Sequence, residues 1–358
     1  MPPNPPPPSL PSSAEHVENA GVHSGDATLV LPAQKLYVET IRQVKRIAQG
    51  IAKALNISGP FNIQFMSREN EVKVIECNLR ASRTFPFISK TFDFNFIALA
   101  TRVCVGLPAR PGVFHLEDIE YVGVKAPQFS FSRLQGADPT LGVEMVSTGE
   151  VACFGVDMYE AFLLAIIAAG FKLPLRTRNI LVSIGSTGKG ALVDCIRRLQ
   201  RLGYNIFATE GTKNFLESAE GGGMRGVVAL AKPSSGAAPS ALDYLKTKKL
   251  DLVINEPETG DKESVTDGFL IRRAAIDFGV SLITNAKCAV LLSLALEKLA
   301  QKSGHFTIRS MEDYYTNVVE THPGVAVAAR GEHVGAGAGA GGGGGRSTSF
   351  SSSVGTPP

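Results

Sequence analysis

The sequence predicts an α/β protein in two parts: a mixed α+β part built around a β-hairpin, then a small doubly wound parallel sheet. Three observations carry this expectation. Apolar residues recur three or four apart at Val38, Ile41, Val44, Ile47, Ile51 and Leu55, the spacing of an amphipathic helix. Two short runs, Phe61 to Met66 and Glu71 to Asn78, flank Ser67-Arg68-Glu69-Asn70, as in a hairpin with a four-residue polar turn. Beyond about Arg176, near-continuous apolar strands alternate with helical segments, the pattern of a parallel sheet covered on both faces.

Composition agrees with two folded domains. The chain has 358 residues, 44% of them hydrophobic and 19% charged, enough to bury a sizeable core. A net charge of +3 with no long basic run argues against nucleic acid or an anionic membrane surface as the main partner. Cys77, Cys104, Cys153, Cys195 and Cys288 are scattered, without a C-x-x-C pair or a histidine at metal spacing. They are expected to be reduced thiols rather than disulfides or zinc ligands. The longest apolar stretch, Ala161 to Ala169, is too short to span a bilayer and reads as a buried helix closed by Gly170. Met1 to Ser13 has neither a signal-peptide core nor the arginines of a transit peptide. A cytoplasmic location is expected, or an organellar one where the true amino terminus lies further upstream.

Composition also sets the expected boundaries. Residues 1–14 form a proline-rich lead, 15–173 the first domain, 174–320 the second, and 321–358 a glycine- and serine-rich tail. Both ends are expected to be disordered. In the first domain a further helix follows near Phe96 to Val105. The second domain reads strand (Ile180 to Ile184), glycine-rich loop, helix (Leu192 to Leu202), then strand (Tyr204 to Ala208). Strands at Leu250 to Asn255 and Val280 to Thr284 and a helix at Ala289 to Lys302 complete it.

The hairpin carries the first candidate chemistry. Glu76, Asn78 and Arg80 lie two apart, so all three share a face if the strand extends that far. Gln64 stands on the partner strand, within cross-strand reach. One carboxylate, two amide oxygens and a guanidinium suit Mg²⁺ with a nucleotide, since magnesium takes oxygen ligands and arginine offsets phosphate charge. By spacing alone a merely solvated face is the commoner reading, since polar residues on one face of a hairpin usually only meet water.

The stretch Ile75-Glu76-Cys77-Asn78-Leu79-Arg80-Ala81-Ser82-Arg83-Thr84-Phe85-Pro86-Phe87 resembles the metal-binding strand of eukaryotic-type carbamoyl-phosphate synthases. So do Ser58-Gly59-Pro60-Phe61-Asn62-Ile63-Gln64-Phe65, the segment from Glu15 to Asp26, and Ser147-Thr148-Gly149-Glu150-Val151. The resemblance runs from about Glu15 to Leu299. It implies the back half of an ATP-grasp unit, in which Gln64, Glu76 and Asn78 are ligands of Mg²⁺ or Mn²⁺. It further implies that Gly21, Val22, His23 and Ser24 border bound ATP, with Gln64 and Glu76 also touching it. Arg80 matches the arginine beside the transferring phosphate. Without the resemblance, His23 reads as a loop histidine bonded to its own backbone.

The implied activity is that of an ATP-dependent carbon–nitrogen ligase. It phosphorylates carbamate, made from bicarbonate, to carbamoyl phosphate, for arginine or pyrimidine biosynthesis. Catalysis would rest on alignment and electrostatics, with magnesium bridging phosphate oxygens and arginine offsetting developing charge. The family's covering lobe precedes the segment seen here, where this chain has proline-rich residues instead. The chain is therefore not expected to make carbamoyl phosphate unaided. A separate synthetase portion or a glutaminase subunit is the implied partner.

In the second domain, ligands are expected beyond the carboxyl ends of the strands. Gly185-Ser186-Thr187-Gly188-Lys189 opens a helix, which suits an anion, although turn geometry alone would also require its glycines. It is not a Walker loop: Ser183 stands where the first glycine should fall, and Gly190 follows Lys189. The domain resembles the methylglyoxal-synthase-like (MGS-like) regulatory domain of carbamoyl-phosphate synthases. That implies Lys189, Thr209, Thr212, Lys232 and Asn255 as the holders of a nucleotide effector such as UMP or IMP, or of N-acetylglutamate. Lys189 and Lys232 follow the nucleotide pattern. Glu258 and Gly268 stand where acetylglutamate binders carry asparagines. Ile271-Arg272-Arg273 also fits the family, with the arginines expected to be structural. The alternative to an enzyme part is a non-catalytic, effector-binding module.

Overall fold

The computed structural model describes residues 13–109, 119–185, 189–218, 220, 222–257, 262–302 and 304–315. The expected proline-rich lead up to residue 12, the loop residues Ser186-Thr187-Gly188, Glu258 and the tail at 321–358 lie outside the described residues.

The first part runs β1 (Glu15–His16), β2 (Leu29–Leu31), α1 (Val38–Ala54), β3 (Asn62–Arg68), β4 (Glu71–Asn78), α2 (Thr84–Thr91), α3 (Phe96–Cys104), β5 (Val122–Gln128), β6 (Gly149–Gly155) and α4 (Met158–Ala168). Its sheet is antiparallel in the order β1-β2-β5-β6, and β3-β4 form a separate hairpin. Alternation along β5 sends Val122, Val124 and Ala126 into the core beside α4. Gly123 faces α2 instead, where an added Cβ would meet Thr91 Oγ1 at 3.0 Å.

The second part runs β7 (Asn179–Ile184), α5 (Lys189–Arg201), β8 (Asn205–Thr209), α6 (Glu210–Glu217), β9 (Val228–Leu230), α7 (Ala241–Lys246), β10 (Leu252–Glu256), α8 (Lys262–Asp277), β11 (Ser281–Ile283) and α9 (Ala286–Gln301). All five strands are parallel, ordered β11-β10-β7-β8-β9. Ile180, Val182, Leu252 and Ile254 pack toward α5 and α9, while Leu181 and Val253 pack with Leu245 and Ile271 on the opposite face. Strands buried on both faces explain the unbroken apolar runs. The chain order reverses between β7 and β10, which places a crevice at their carboxyl ends.

Helix α4 joins the two parts. It lies against β5 and β6 on one side and α9 on the other, so it is apolar all round. One continuous core extends from Val30 and Val124 through Phe162 to Leu292 and Ile196.

Two local expectations are corrected. The hairpin turn has two residues, not four: β3 continues through Arg68, and Glu69 and Asn70 both take positive φ, 52° and 65°. That is the twist which matches flanking strands in two-residue hairpins. Strand β4 also ends at Asn78, so Arg80 is not part of the ladder.

Candidate functional site

The hairpin brings its polar residues to one face. Asn62 pairs with Asn78 and Gln64 with Glu76, and both pairs lie two residues apart along each strand. Asn78 Nδ2 donates to Glu76 Oε1 at 2.9 Å and to Asn62 Oδ1 at 3.2 Å. Gln64 Nε2 donates to Ser24 Oγ at 2.7 Å, tying the hairpin to the segment before β2. Next to this pair Ile75 is an extra residue in β4, a bulge that bends the ribbon. Arg80 does not join the patch. It is exposed, and its guanidinium turns back to the Ala81 carbonyl at 3.1 Å.

Gly21, Val22, His23, Ser24, Gln64 and Glu76 all line one cleft of about 840 Å³. Its remaining wall is largely apolar and includes Phe61, Ile63, Phe85 and Leu99. Asn78 and Arg80 are not among the lining residues. The segment that carries residues 21 to 26 is held on several sides. Gly25 N–H donates to His23 Nδ1 at 3.0 Å, so the neutral ring carries its proton on Nε2. The local backbone bond expected of a loop histidine is therefore present, and it leaves Nε2 as a donor. His23 N–H reaches Gly142 O at 2.8 Å. The Asp26 carboxylate, fully buried, accepts the amides of Val146 and Ser147 at 2.9 Å each.

Beneath this segment lies a buried ionisable group, Lys125. Its Nζ donates to Ser24 O at 3.0 Å and Gly25 O at 3.2 Å. Glu150 Oε2 stands 3.5 Å away, at ion-pair distance but without a hydrogen bond. Burial pushes Lys125 below the ordinary lysine range despite the opposing pull of Glu150, and burial raises Glu150. Burial, with the charge of Lys125 and the neighbouring His23, lowers His16 to about 4. Burial also raises Glu18, which accepts from Thr28 N, Thr28 Oγ1 and Cys288 Sγ.

The hairpin patch fits a hard cation. Gln64 Oε1, Glu76 Oε2 and Asn78 Oδ1 make no hydrogen bond among the described residues, and oxygen donors of this kind suit magnesium. The set contains one carboxylate, so the phosphates of a nucleotide would have to complete the shell. Among the described residues no group of three or more His, Cys, Asp or Glu forms a metal site of another kind. All five cysteines are free, and no helix of the described residues is long and apolar enough to cross a membrane.

In the second part, all five expected effector residues fall at or just beyond the carboxyl ends of the strands, or on the helices that follow them. Lys189 opens α5, Thr209 ends β8, Thr212 sits in α6 and Asn255 lies in β10 beside the reversal point. Lys232 follows β9 and is exposed. Lys189 Nζ approaches Gly211 O at 3.4 Å, bringing the first two strand ends together. Thr212 is buried, and its Oγ1 accepts the Ile184 amide at 3.2 Å. Asn255 is also buried and already engaged: its Nδ2 donates to Ser183 O at 3.2 Å and its Oδ1 accepts Arg272 Nη1 at 2.7 Å.

Sequence reasoning missed Lys125, Glu150, Asp26 and Asp138, and took Arg272 and Arg273 as structural without saying what they hold. Both arginines reach into the first part. Arg272 forks onto Asp138, and Arg273 Nη1 donates to the carbonyls of Phe131, Leu134 and Ala137. A lysine set within Val122-Gly123-Val124-Lys125-Ala126 was the one visible signal, since a charge inside an apolar strand needs a partner.

Comparison with known proteins gives two family matches. Residues 13–110 match the carbamoyl-phosphate synthase L chain, ATP binding domain, and residues 191–284 match the MGS-like domain. Multifunctional protein URA2 of Saccharomyces cerevisiae is 49% identical over 292 residues, covering 80% of this chain and 13% of its own length. Multifunctional protein CAD of Squalus acanthias is 46% identical over 295 residues, covering 79% and 13%. Carbamoyl-phosphate synthase [ammonia], mitochondrial, of Rattus norvegicus is 44% identical over 296 residues, covering 80% and 19%. The chain thus spans less than a fifth of the length of each of these relatives. It belongs to the carbamoyl-phosphate synthase large-chain family, of which it carries ATP-binding-domain sequence followed by the MGS-like domain.

Proposed function

We propose that this chain supplies half of an ATP site and the regulatory site of a carbamoyl-phosphate synthase. In that reading the hairpin face of Gln64, Glu76 and Asn78 holds Mg²⁺ or Mn²⁺, and Gly21 to Ser24 border the phosphates. The observation that supports this best is the cleft shared by Gly21, Val22, His23, Ser24, Gln64 and Glu76. Its polar wall suits a metal–triphosphate, and its apolar wall suits a base or ribose face. The metal would screen phosphate charge. This chain's own residues would orient the chain of phosphates: Ser24 Oγ is fixed by Gln64, and His23 presents Nε2–H. Arg80 would have to swing from the Ala81 carbonyl to reach a phosphate, which an exposed side chain can do. Transfer to carbamate needs a covering lobe that excludes water, supplied by further polypeptide.

The crevice at the carboxyl ends of β7, β8 and β10 would take a nucleotide effector, UMP or IMP. Lys189 and Lys232 supply positive charge there and Thr209 a hydroxyl. N-acetylglutamate fits less well, because Gly268 offers no side chain.

Calorimetric titration of the full chain tests both sites. Mg-ATP should bind, and Glu76→Ala should weaken it at least about tenfold and remove its dependence on the metal. UMP or IMP should bind independently of Glu76. Nucleotide binding that survives Lys189→Ala unchanged would remove the effector assignment. A purely regulatory module without an ATP role is favoured by one observation, the turned-away Arg80. It predicts effector binding with no metal-dependent ATP affinity.

A further inference from the structure

The two proposed sites are connected through one buried side chain, by hydrogen bonds at both ends of the backbone segment 138 to 147. Arg272 is 1% exposed and uses all three of its guanidinium nitrogens, two of them across the boundary between the two parts. Nη1 donates to Asn255 Oδ1 at 2.7 Å, while Nε and Nη2 fork onto Asp138 at 2.8 and 2.6 Å. Burial alone would raise the Asp138 carboxyl, but hydrogen bonds from Arg272 and Thr140 and the Arg272 charge bring it below the usual carboxylate range.

Asp138 begins the segment that leads into β6. Thr140 N–H and Oγ1 donate to its Oδ1 at 3.1 and 2.8 Å. Gly142 O then accepts His23 N–H, and the Val146 and Ser147 amides clamp Asp26. Arg83 Nη2 adds a bond to Ser147 O at 3.0 Å. One end of this segment is therefore pinned to the effector crevice and the other to the loop that presents His23 and Ser24. Gly268 leaves the space for it: a Cβ there would stand 3.0 Å from Arg272 Nη1 and 3.6 Å from Asn255 Oδ1.

Resting on the two-site reading above, we propose that Arg272 is the positioning residue through which the β7–β10 crevice and the nucleotide-facing loop are coupled. It sets the Asn255 amide and holds residues 138 to 147 in the same geometry. A ligand that draws Asn255 toward itself competes for the guanidinium. Arg272 then shifts relative to Asp138, and the shift reaches His23 and Asp26 through backbone bonds. A planar fork can do this because its donors are rigidly related, whereas a lysine carries its donors on one nitrogen with free rotation. The coupling is reciprocal, so Mg-ATP should alter effector affinity by the same factor.

The test uses the full chain with Mg-ATP titrated in the presence and absence of UMP, and of IMP in a parallel arm. In the wild type one of the two should change Mg-ATP affinity by about fivefold or more. Asp138→Asn, which lies outside the crevice, should leave UMP and IMP affinity within about twofold while that change collapses toward unity. Hydrogen exchange supplies a readout that does not depend on ATP. UMP or IMP should alter protection of the His23, Val146 and Ser147 amides in the wild type and not in Asp138→Asn.

Undiminished coupling in Asp138→Asn, or an equal exchange response in both proteins, overturns the proposal. So does a wild type that shows no exchange response to either nucleotide. A wild type that responds in exchange but binds no Mg-ATP retires the hairpin assignment and leaves the coupling standing.

Discussion

Lys125 Nζ lies 3.0 Å from the carbonyl oxygen of Ser24, in the interior, with Glu150 as its one charged neighbour within ion-pair distance among the described residues. The lysine is fully buried, so it holds the loop of residues 21 to 26 from beneath rather than meeting a ligand. Removing one member of a buried pair strands the other. Lys125→Met should therefore cost about 3 kcal/mol, because Glu150 and two carbonyls lose their partner. Urea denaturation of Lys125→Met and of Lys125→Met/Glu150→Gln checks this. The double variant should recover part of the loss, and a double variant worse than the single would contradict the pairing.

Gly155 ends β6 where the chain turns into α4. A Cβ at this position would sit close against the backbone nitrogen of Ala161, and 3.0 Å from Ala161 Cα. Both are main-chain atoms of a helix packed on both sides, so neither can move aside. Gly155→Ala should lower stability by about 3 kcal/mol, at the upper end of overpacking effects. A thermal midpoint within a degree of wild type would show that α4 is less firmly seated than the packing indicates.

The sequence made the local elements readable and the assembly much less so. Helix α1 follows from the spacing of Ile41, Val44 and Ile51, and the β7 and β10 cores from their apolar runs. The antiparallel sheet was not legible. Its strands β1 and β2 span only two and three residues, and β2 finds its central partner β5 far along the chain. Register was equally hidden: nothing local says that Gln64 stands opposite Glu76, since a bulge at Ile75 shifts the ladder beside them. Alternation would put Arg80 on the same face only if the strand reached it, and β4 ends two residues earlier. Arg272 was visible only as part of a family pattern. Its acceptors Asn255 and Asp138 come from different parts of the chain, and only tertiary packing brings them together.

His16 gives a dependence on pH that can be isolated. Its ordinary value of 6.5 falls to about 4 in the fold, chiefly through burial. Between those values the unfolded chain binds the proton and the folded chain does not. The neutral ring thus contributes stability that is fully present above about 6.5 and is lost as pH falls toward 4, up to about 3 kcal/mol. Glu18, raised by burial, works in the opposite direction, because its folded form takes up a proton more readily than the unfolded chain. The difference between wild type and His16→Gln separates the two. Urea midpoints from pH 7 to 4 should fall less steeply in the variant, and parallel curves would count against a buried neutral imidazole.

Thr209 and Thr212 are both expected to meet the effector, yet their hydroxyls are not equivalent. Thr212 Oγ1 is the acceptor for the Ile184 amide at the end of β7, so it serves the sheet. Thr209 precedes α6 without capping it, and its closest hydroxyl partners are distant, Thr212 at 3.3 Å and Ser183 at 3.5 Å. A ligand oxygen can replace such weak bonds at little cost. Thr212→Val should lower stability by about 1–2 kcal/mol even without nucleotide, since a buried amide loses its acceptor. Thr209→Val should leave the urea midpoint nearly unchanged and weaken UMP or IMP about tenfold, the loss of one phosphate or hydroxyl contact. If Thr209→Val destabilises the chain as much as Thr212→Val while UMP and IMP affinities hold, the Thr209 hydroxyl belongs to the scaffold and Lys189 must carry the recognition.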